Sequence, residues 1–173
     1  MYTARCTRKV LRAMRLPPAA EDQPASTALG DWYVNFLNVR NIRLVHFVSD
    51  RSLLSVVVPL KTLKTVLDRH LAALHDLLQD LGVSLSIIEA ELDEMSNRAV
   101  AKTRSHSVLA SMRDLALTAQ WELDKNPQAT SLEVSRELAA VPCGPLAMAF
   151  PQEIAIPLLL ARHSGRARNV RGA

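Results

Sequence analysis

The stretch WYVNFLNVRNIRLVHFVSDRSLLSVVVP, residues 32–59, followed by LKTLKTVLDRHLAALHDLLQDLG, residues 60–82, decides the fold. In the first part, β-branched and aromatic residues gather in three runs, 32–39, 43–48 and 53–58. Turn-like Arg40-Asn41 and Ser49-Asp50-Arg51-Ser52 separate them. Alternation sends Trp32, Val34 and Phe36 to one face and Tyr33, Asn35 and Leu37 to the other, so the runs read as a three-stranded antiparallel meander closed by Pro59. Both faces carry apolar residues, which calls for helices over one face and loops or a partner over part of the second. Beyond Pro59 the period changes. Leu63, Val66, Leu67, Leu71, Leu74, Leu78 and Leu81 recur at spacings of three and four, the mark of an amphipathic helix, and Gly82 supplies its stop.

Working outward, the second half reads as further helices at about 84–95, 105–123 and 131–140, the last opened by Thr130 and Glu133 in capping-box spacing. Pro142, Pro145, Pro151 and Pro157 predict a mostly irregular C-terminal segment. On the other side, residues 2–6 read as a short additional strand, and Thr7 caps a helix over 8–15. Val10, Leu11 and Met14 fall on one side of that helix, and Arg8, Arg12 and Arg15 on the other. Pro17 and Pro18 end it, and 16–28 reads as a surface linker. The expected fold is α+β, a small antiparallel sheet packed against a helical C-terminal half, as one domain over 1–165 with a disordered basic tail over 166–173. Leu67, Leu71, Leu74, Leu78, Val108, Met112 and Leu115 are the expected core.

A chain of 173 residues is one domain's worth, and its 49% hydrophobic and 22% charged residues give a soluble globular composition that excludes wholesale disorder. The net charge of +4 is unevenly spread. Arg5, Arg8, Lys9, Arg12 and Arg15 near one end, and Arg162, Arg166, Arg168 and Arg171 near the other, stand without acids among them. Without those nine cations, the remaining twelve against seventeen acids leave the body at −5. Basic ends on an acidic body steer a polyanion toward the ends. Two distant cysteines, Cys6 and Cys143, need no disulfide and fit a reducing compartment. The N-terminus is Arg-rich and acid-free like a transit peptide, but lacks the apolar core of a secretory signal, and no run is long enough for a membrane span; the cytoplasm is the expected location.

Few residues fall in chemically diagnostic patterns. His70 and His75 are five apart on the long helix, about 140° around it, so they do not converge on a metal as an i, i+4 pair would. Cys6 and Cys143 lack a neighbouring base, and Glu89, Glu91, Asp93 and Glu94 read as an exposed acidic face. No cofactor or metal is expected. The set that stands out is Asp31, Trp32 and Asn35 at the start of the meander, Asp50 and Arg51 at its second turn, and Lys102, Arg104 and His106 before the third long helix. Two chain reversals bring the start of the first strand and the second turn to the same end of the sheet, so Asp31 and Arg51 are placed to meet.

Arg5-Cys6-Thr7-Arg8-Lys9-Val10-Leu11, Leu29-Gly30-Asp31-Trp32-Tyr33-Val34-Asn35, the 47–54 turn, and Lys102-Thr103 through Ser107-Val108-Leu109-Ala110-Ser111-Met112 resemble a bacterial family known only as a domain of unknown function. The resemblance covers about 4–160. It departs at His106, Ala110 and Arg113, where Arg, Gly and Asn are common in the family. The resemblance implies a basic opening, a small sheet, a helical second half and a bacterial origin, some members occurring with plasmid-type reading frames; it implies no activity. The leading functional reading is a non-enzymatic accessory or regulatory module that binds a protein or nucleic acid through Arg5, Arg8, Lys9, Arg12 and Arg15, or at the sheet end through Asp31, Trp32, Asn35, Asp50, Arg51, Lys102 and Arg104. A small hydrolase or nuclease using Asp31, Asp50, Arg51, Lys102 and His106 is the second reading, and a homo-oligomer burying the second sheet face the third.

Overall fold

A computed structural model describes residues 1–15, 17 and 24–171 of the chain, with side chains as far as Gly165. The alternating segments pair into one mixed sheet of β1 (Tyr2–Cys6), β2 (Trp32–Val39), β3 (Ile42–Ser49), β4 (Ser55–Pro59) and β5 (Arg98–Lys102), in the order β4-β3-β2-β1-β5. β2, β3 and β4 form the antiparallel meander. The rest of the sheet is not antiparallel. β1 runs parallel to β2, which requires a crossover, and the crossover carries α1 (Arg8–Met14). β5 is a strand missing from the sequence reading, and it lies parallel to β1 on the outer side. Its RAVAK sequence has a single β-branched residue, so the strand is imposed by its ladder with β1 and not by propensity.

The helices are α2 (Val66–Asp80), α3 (Leu85–Ser96), α4 (His106–Lys125), α5 (Ser131–Ala139) and α6 (Pro151–Arg171). α6 corrects the expectation of irregular chain. Pro151 opens it at a position where a missing N–H costs nothing, and Pro157 sits in its interior on the exposed side. The helical backbone continues to Arg171 where a disordered tail was expected; Gly172 and Ala173 lie outside the described residues. Of the expected surface linker, residues 16 and 18–23 also lie outside them, whereas Thr27, Ala28 and Leu29 are buried and belong to the core. Among the described residues no helix is long and apolar enough to cross a membrane.

Strand alternation divides the core in two. Ala4, Trp32, Val45, Phe47 and Val56 pack on one face beneath α1, α2, α3 and α6. Tyr33, Leu37, Val48 and Val57 pack on the other against α4 and α5. Over the meander the second face is therefore covered by α4 and α5, with Ala129, Val141, Cys143 and Leu146 of the connecting segments packed beside them. Six of the seven expected core residues are buried; Leu71 is only half-buried, at the margin of the α2 stripe. α5 also runs along the β4 edge, where Ser135 Oγ accepts the Val57 N–H at 3.0 Å and so satisfies a donor that an edge strand leaves open.

His70 of α2 lies in the centre of the first core, stacked on Phe47 with ring centroids 4.1 Å apart and edge-on to Trp32 at 4.5 Å. Neither of its ring nitrogens, nor the Tyr2 hydroxyl or the Trp32 indole N–H, has a hydrogen-bond partner among the described residues. Burial pushes the His70 pKa down to about 3, helped by the Arg98 charge. His46, buried on the other face with Nε2 3.1 Å from Ser55 Oγ, is pushed down to about 4 by burial. Both are neutral in the native state, while the unfolded chain protonates them near 6.5. Their contribution is thus fully present above about pH 6.5 and is lost as the pH falls, for His46 down to about 4 and for His70 down to about 3. Burial raises the Glu91 and Asp50 pKa values, which acts in the opposite direction over the acid range. Denaturant unfolding at pH 7, 5 and 4 should therefore show a steeper acid loss for the wild type than for His70→Phe, which keeps the aromatic stack and removes the proton site. The expected difference is roughly 1.4 kcal/mol per pH unit below 6.5. Equal slopes would contradict the burial of a neutral imidazole.

Candidate binding surface

The end of the sheet gathers several of the residues singled out in the sequence, but as a fastening. Asp31 and Asp50 do meet across the β2–β3 end: the Asp50 N–H donates to the Asp31 carbonyl at 2.9 Å, and the Asp31 N–H donates to Asp50 Oδ1 at 3.0 Å. Arg51, however, does not pair with Asp31. Its guanidinium donates to the carbonyls of Thr27 and Ala28, at 2.9 and 3.3 Å, and ties down the preceding loop. The partner of Asp31 is Arg5, whose Nε donates to Oδ2 at 2.6 Å, while the Thr3 N–H donates to Oδ1 at 2.9 Å. Arg104, from the β5–α4 connection, stands 3.7 Å from the same carboxylate.

These placements change the expected binding set. Arg5 and Asp31 are buried, and Trp32 belongs to the aromatic core around His70. Asn35 is half-buried and accepts the Thr7 hydroxyl at 2.9 Å. Lys102 stands opposite Cys6, so alternation sends its side chain to the opposite face from Arg5 and Asp31. Arg104 joins the cluster, and His106 is exposed on the first turn of α4. Asp50 has a raised pKa because burial and the Asp31 charge outweigh its hydrogen bond and the nearby Arg51 and Arg104. Gly30 makes the close approach feasible. Its φ is +76°, and an added Cβ would lie 2.1 Å from Asp50 Oδ1.

Glu91 is a contributor that the sequence reading misassigned. It is buried, not part of an exposed acidic face, and its two carboxylate oxygens accept the N–H groups of Ala28 and Leu29 at 2.8 and 2.9 Å. Burial raises its pKa against the lowering effect of those two bonds. The signal was present in α3, where Glu91 is three residues from Ile88 and four from Met95 and so shares their buried stripe.

An accessible concavity lies elsewhere. Ala13, Met14 and Arg15 at the end of α1, Leu63, Lys64 and Leu67 before and within α2, and Arg98 and Val100 of β5 line an open groove of about 640 Å³. Its floor is apolar and its rim cationic. The Arg98 guanidinium donates to Asp68 at 2.6 Å, whereas Arg15 and Lys64 have no ion-pair partner among the described residues. Arg69 fixes the wall by donating to the carbonyls of Pro59 and Thr62. Outside the groove, Arg8, Lys9 and Arg12 of α1 are exposed, as are Lys61 and Lys102. The basic face of α1 therefore runs into the groove. Among the described residues no three His, Cys, Asp or Glu side chains gather as they would around a metal ion.

Architecture defines the class: an α+β domain with a mixed five-stranded sheet, helices on both faces and its second half mostly helical. Residues 3–154 match the family described as a domain of unknown function, DUF6933, and the chain belongs to that family. Nothing matches among curated proteins or among solved structures.

If Asp31 is the fastening, Asp31→Ala should destabilise the domain by about 3–5 kcal/mol, the range for breaking a buried ion pair from one side. Arg51→Ala, which removes hydrogen bonds from an exposed side chain, should cost about 1 kcal/mol or less. Denaturant midpoints of the two variants decide the point; equal, small losses would leave the Arg5–Asp31 pair without structural weight.

Proposed function

We propose that the chain is a non-enzymatic binding module that takes an acidic protein partner on the cationic surface formed by α1 and the adjoining groove. The observation that carries this reading is the continuity of exposed Arg8, Lys9, Arg12 and Arg15 with a groove in which Arg15 and Lys64 flank an apolar floor of Met14, Leu63, Leu67 and Val100. Cations around apolar surface suit a peptide that carries both carboxylates and apolar side chains. A single-stranded nucleic acid would call for aromatic platforms, and α1 and the groove contain none. The exposed Trp121 is on α4 and lies under Lys125 Nζ, 4.0 Å from the ring centroid. The carboxylates at the sheet end favour binding over hydrolysis: Asp31 is buried against Arg5, and Asp50 accepts a main-chain N–H.

Fluorescence anisotropy with labelled polyglutamate and with a short DNA duplex tests the proposal. Polyglutamate should bind with an affinity that falls as salt rises, and Arg8→Gln, Arg12→Gln and Arg15→Gln together should weaken it about tenfold. The melting temperature should move little, because exposed charges contribute about 0–1 kcal/mol each. Unchanged binding in the triple variant would remove α1 from the surface. Tighter binding of the duplex than of polyglutamate would replace the protein partner with a nucleic acid.

A further inference from the structure

The two edges of the sheet differ. α5 lies along the β4 edge and satisfies its Val57 N–H through Ser135, whereas among the described residues β5 pairs only with β1. The Tyr2 N–H donates to the Asn97 carbonyl, so alternation along the parallel ladder turns the backbone groups of Ala99 and Ala101 toward β1 and those of Arg98, Val100 and Lys102 outward. No hydrogen bond from that outer edge to another described segment is present. The same three residues share a face, because they stand opposite Tyr2, Ala4 and Cys6, and Arg98 and Val100 line the cationic groove. Among the described residues, the uncovered edge and the groove therefore form one continuous surface.

We infer that β5 accepts an extended peptide as a sixth strand, one that presents an acidic, an apolar and an acidic side chain at alternate positions over Arg98, Val100 and Lys102. This rests on the acidic-partner reading above and specifies its mode. The main-chain ladder supplies affinity without regard to sequence, and the alternate side chains supply selectivity. The apolar residue sits beside Val100 above Leu67 and Met14. One flanking carboxylate meets Lys102; the other faces Arg98, whose guanidinium already holds Asp68, and is drawn by Arg15 and Lys64, which line the same groove. Opposite charges directly across a ladder attract and like charges repel. That rule disfavours a second copy of this chain as the occupant: antiparallel β5–β5 pairing about Val100 would set Arg98 against Lys102 at both ends. Because the acidic-apolar-acidic pattern is symmetric, it fits either strand polarity.

The test uses the peptide Thr-Glu-Thr-Val-Thr-Glu-Thr with capped ends, and its isomer Glu-Glu-Thr-Thr-Thr-Thr-Val as the control of equal charge. The alternating peptide should bind about tenfold more tightly, the sum of a few cross-strand pairs. Two backbone-methylated forms follow, one blocked at the Glu and Val nitrogens and the other at the Thr nitrogens. A strand has one hydrogen-bonding edge toward β5, so one form should lose binding and the other keep it, which also reports polarity. Lys102→Glu, a change at an exposed side chain, should weaken the alternating peptide, and the version with one Glu replaced by Lys should restore it. Equal binding of both isomers and of both methylated forms, with polyglutamate still bound, would overturn strand addition and leave the acidic-partner reading standing. Loss of polyglutamate binding as well would remove both.

Discussion

Arg5 and Asp31 meet at 2.6 Å with about 2% of each side chain exposed, and the arrangement of the sheet depends on that contact. Two charges taken out of water are costly unless the geometry is good and further hydrogen bonds satisfy them. Asp31 meets that condition through the Thr3 N–H on its second oxygen and Arg104 at its margin. Because side chains alternate along a strand, a slip of β1 by one residue would carry the guanidinium to the other face, among Trp32, Phe47 and His70. The pair therefore fixes both the register and the facing of β1. Among the described residues β5 has no other strand neighbour, so its position follows from the same contact.

Around this pair, the turn regions are held by polar groups drawn from distant parts of the chain. Glu91 of α3 holds residues 28 and 29, Arg51 holds the carbonyls of 27 and 28, and Ser49 Oγ donates to the Leu29 carbonyl at 2.6 Å. The motif-like run around Gly30-Asp31-Trp32 is thus a junction where β1, β2, the β3–β4 turn and α3 are joined. Its unusual composition reflects how many backbone groups must be satisfied there without water.

Legibility in the sequence followed the source of each element's conformation. The meander and α2 declared themselves because their apolar residues kept a period of two or of 3.6 through a half-buried environment. β5 did not, since alanines at 99 and 101 favour no strand and its pairing partner lies more than half the chain away. α6 was hidden by prolines that a helix tolerates at its start and, less easily, on an exposed side. Among candidate site residues, the shared end of Asp31 and Asp50 followed from counting strand reversals. The choice of Arg5 over Arg51 did not, because it required knowing that β1 lies parallel to β2. Charge alone groups Arg5 with the basic helix, but its place in β1 turns it inward.

The Ser135 hydroxyl on the Val57 N–H has a consequence for assembly. A sheet with two open edges can pass hydrogen-bonded growth from molecule to molecule without limit, as in fibrils. This sheet has one edge capped by its own helix and the other ending in charged residues at 98 and 102. Copies of the domain that met edge to edge could therefore join only through β5, and such an assembly would stop at a pair. The Ser135 side chain of α5 thus limits how far edge-to-edge pairing of this sheet can extend.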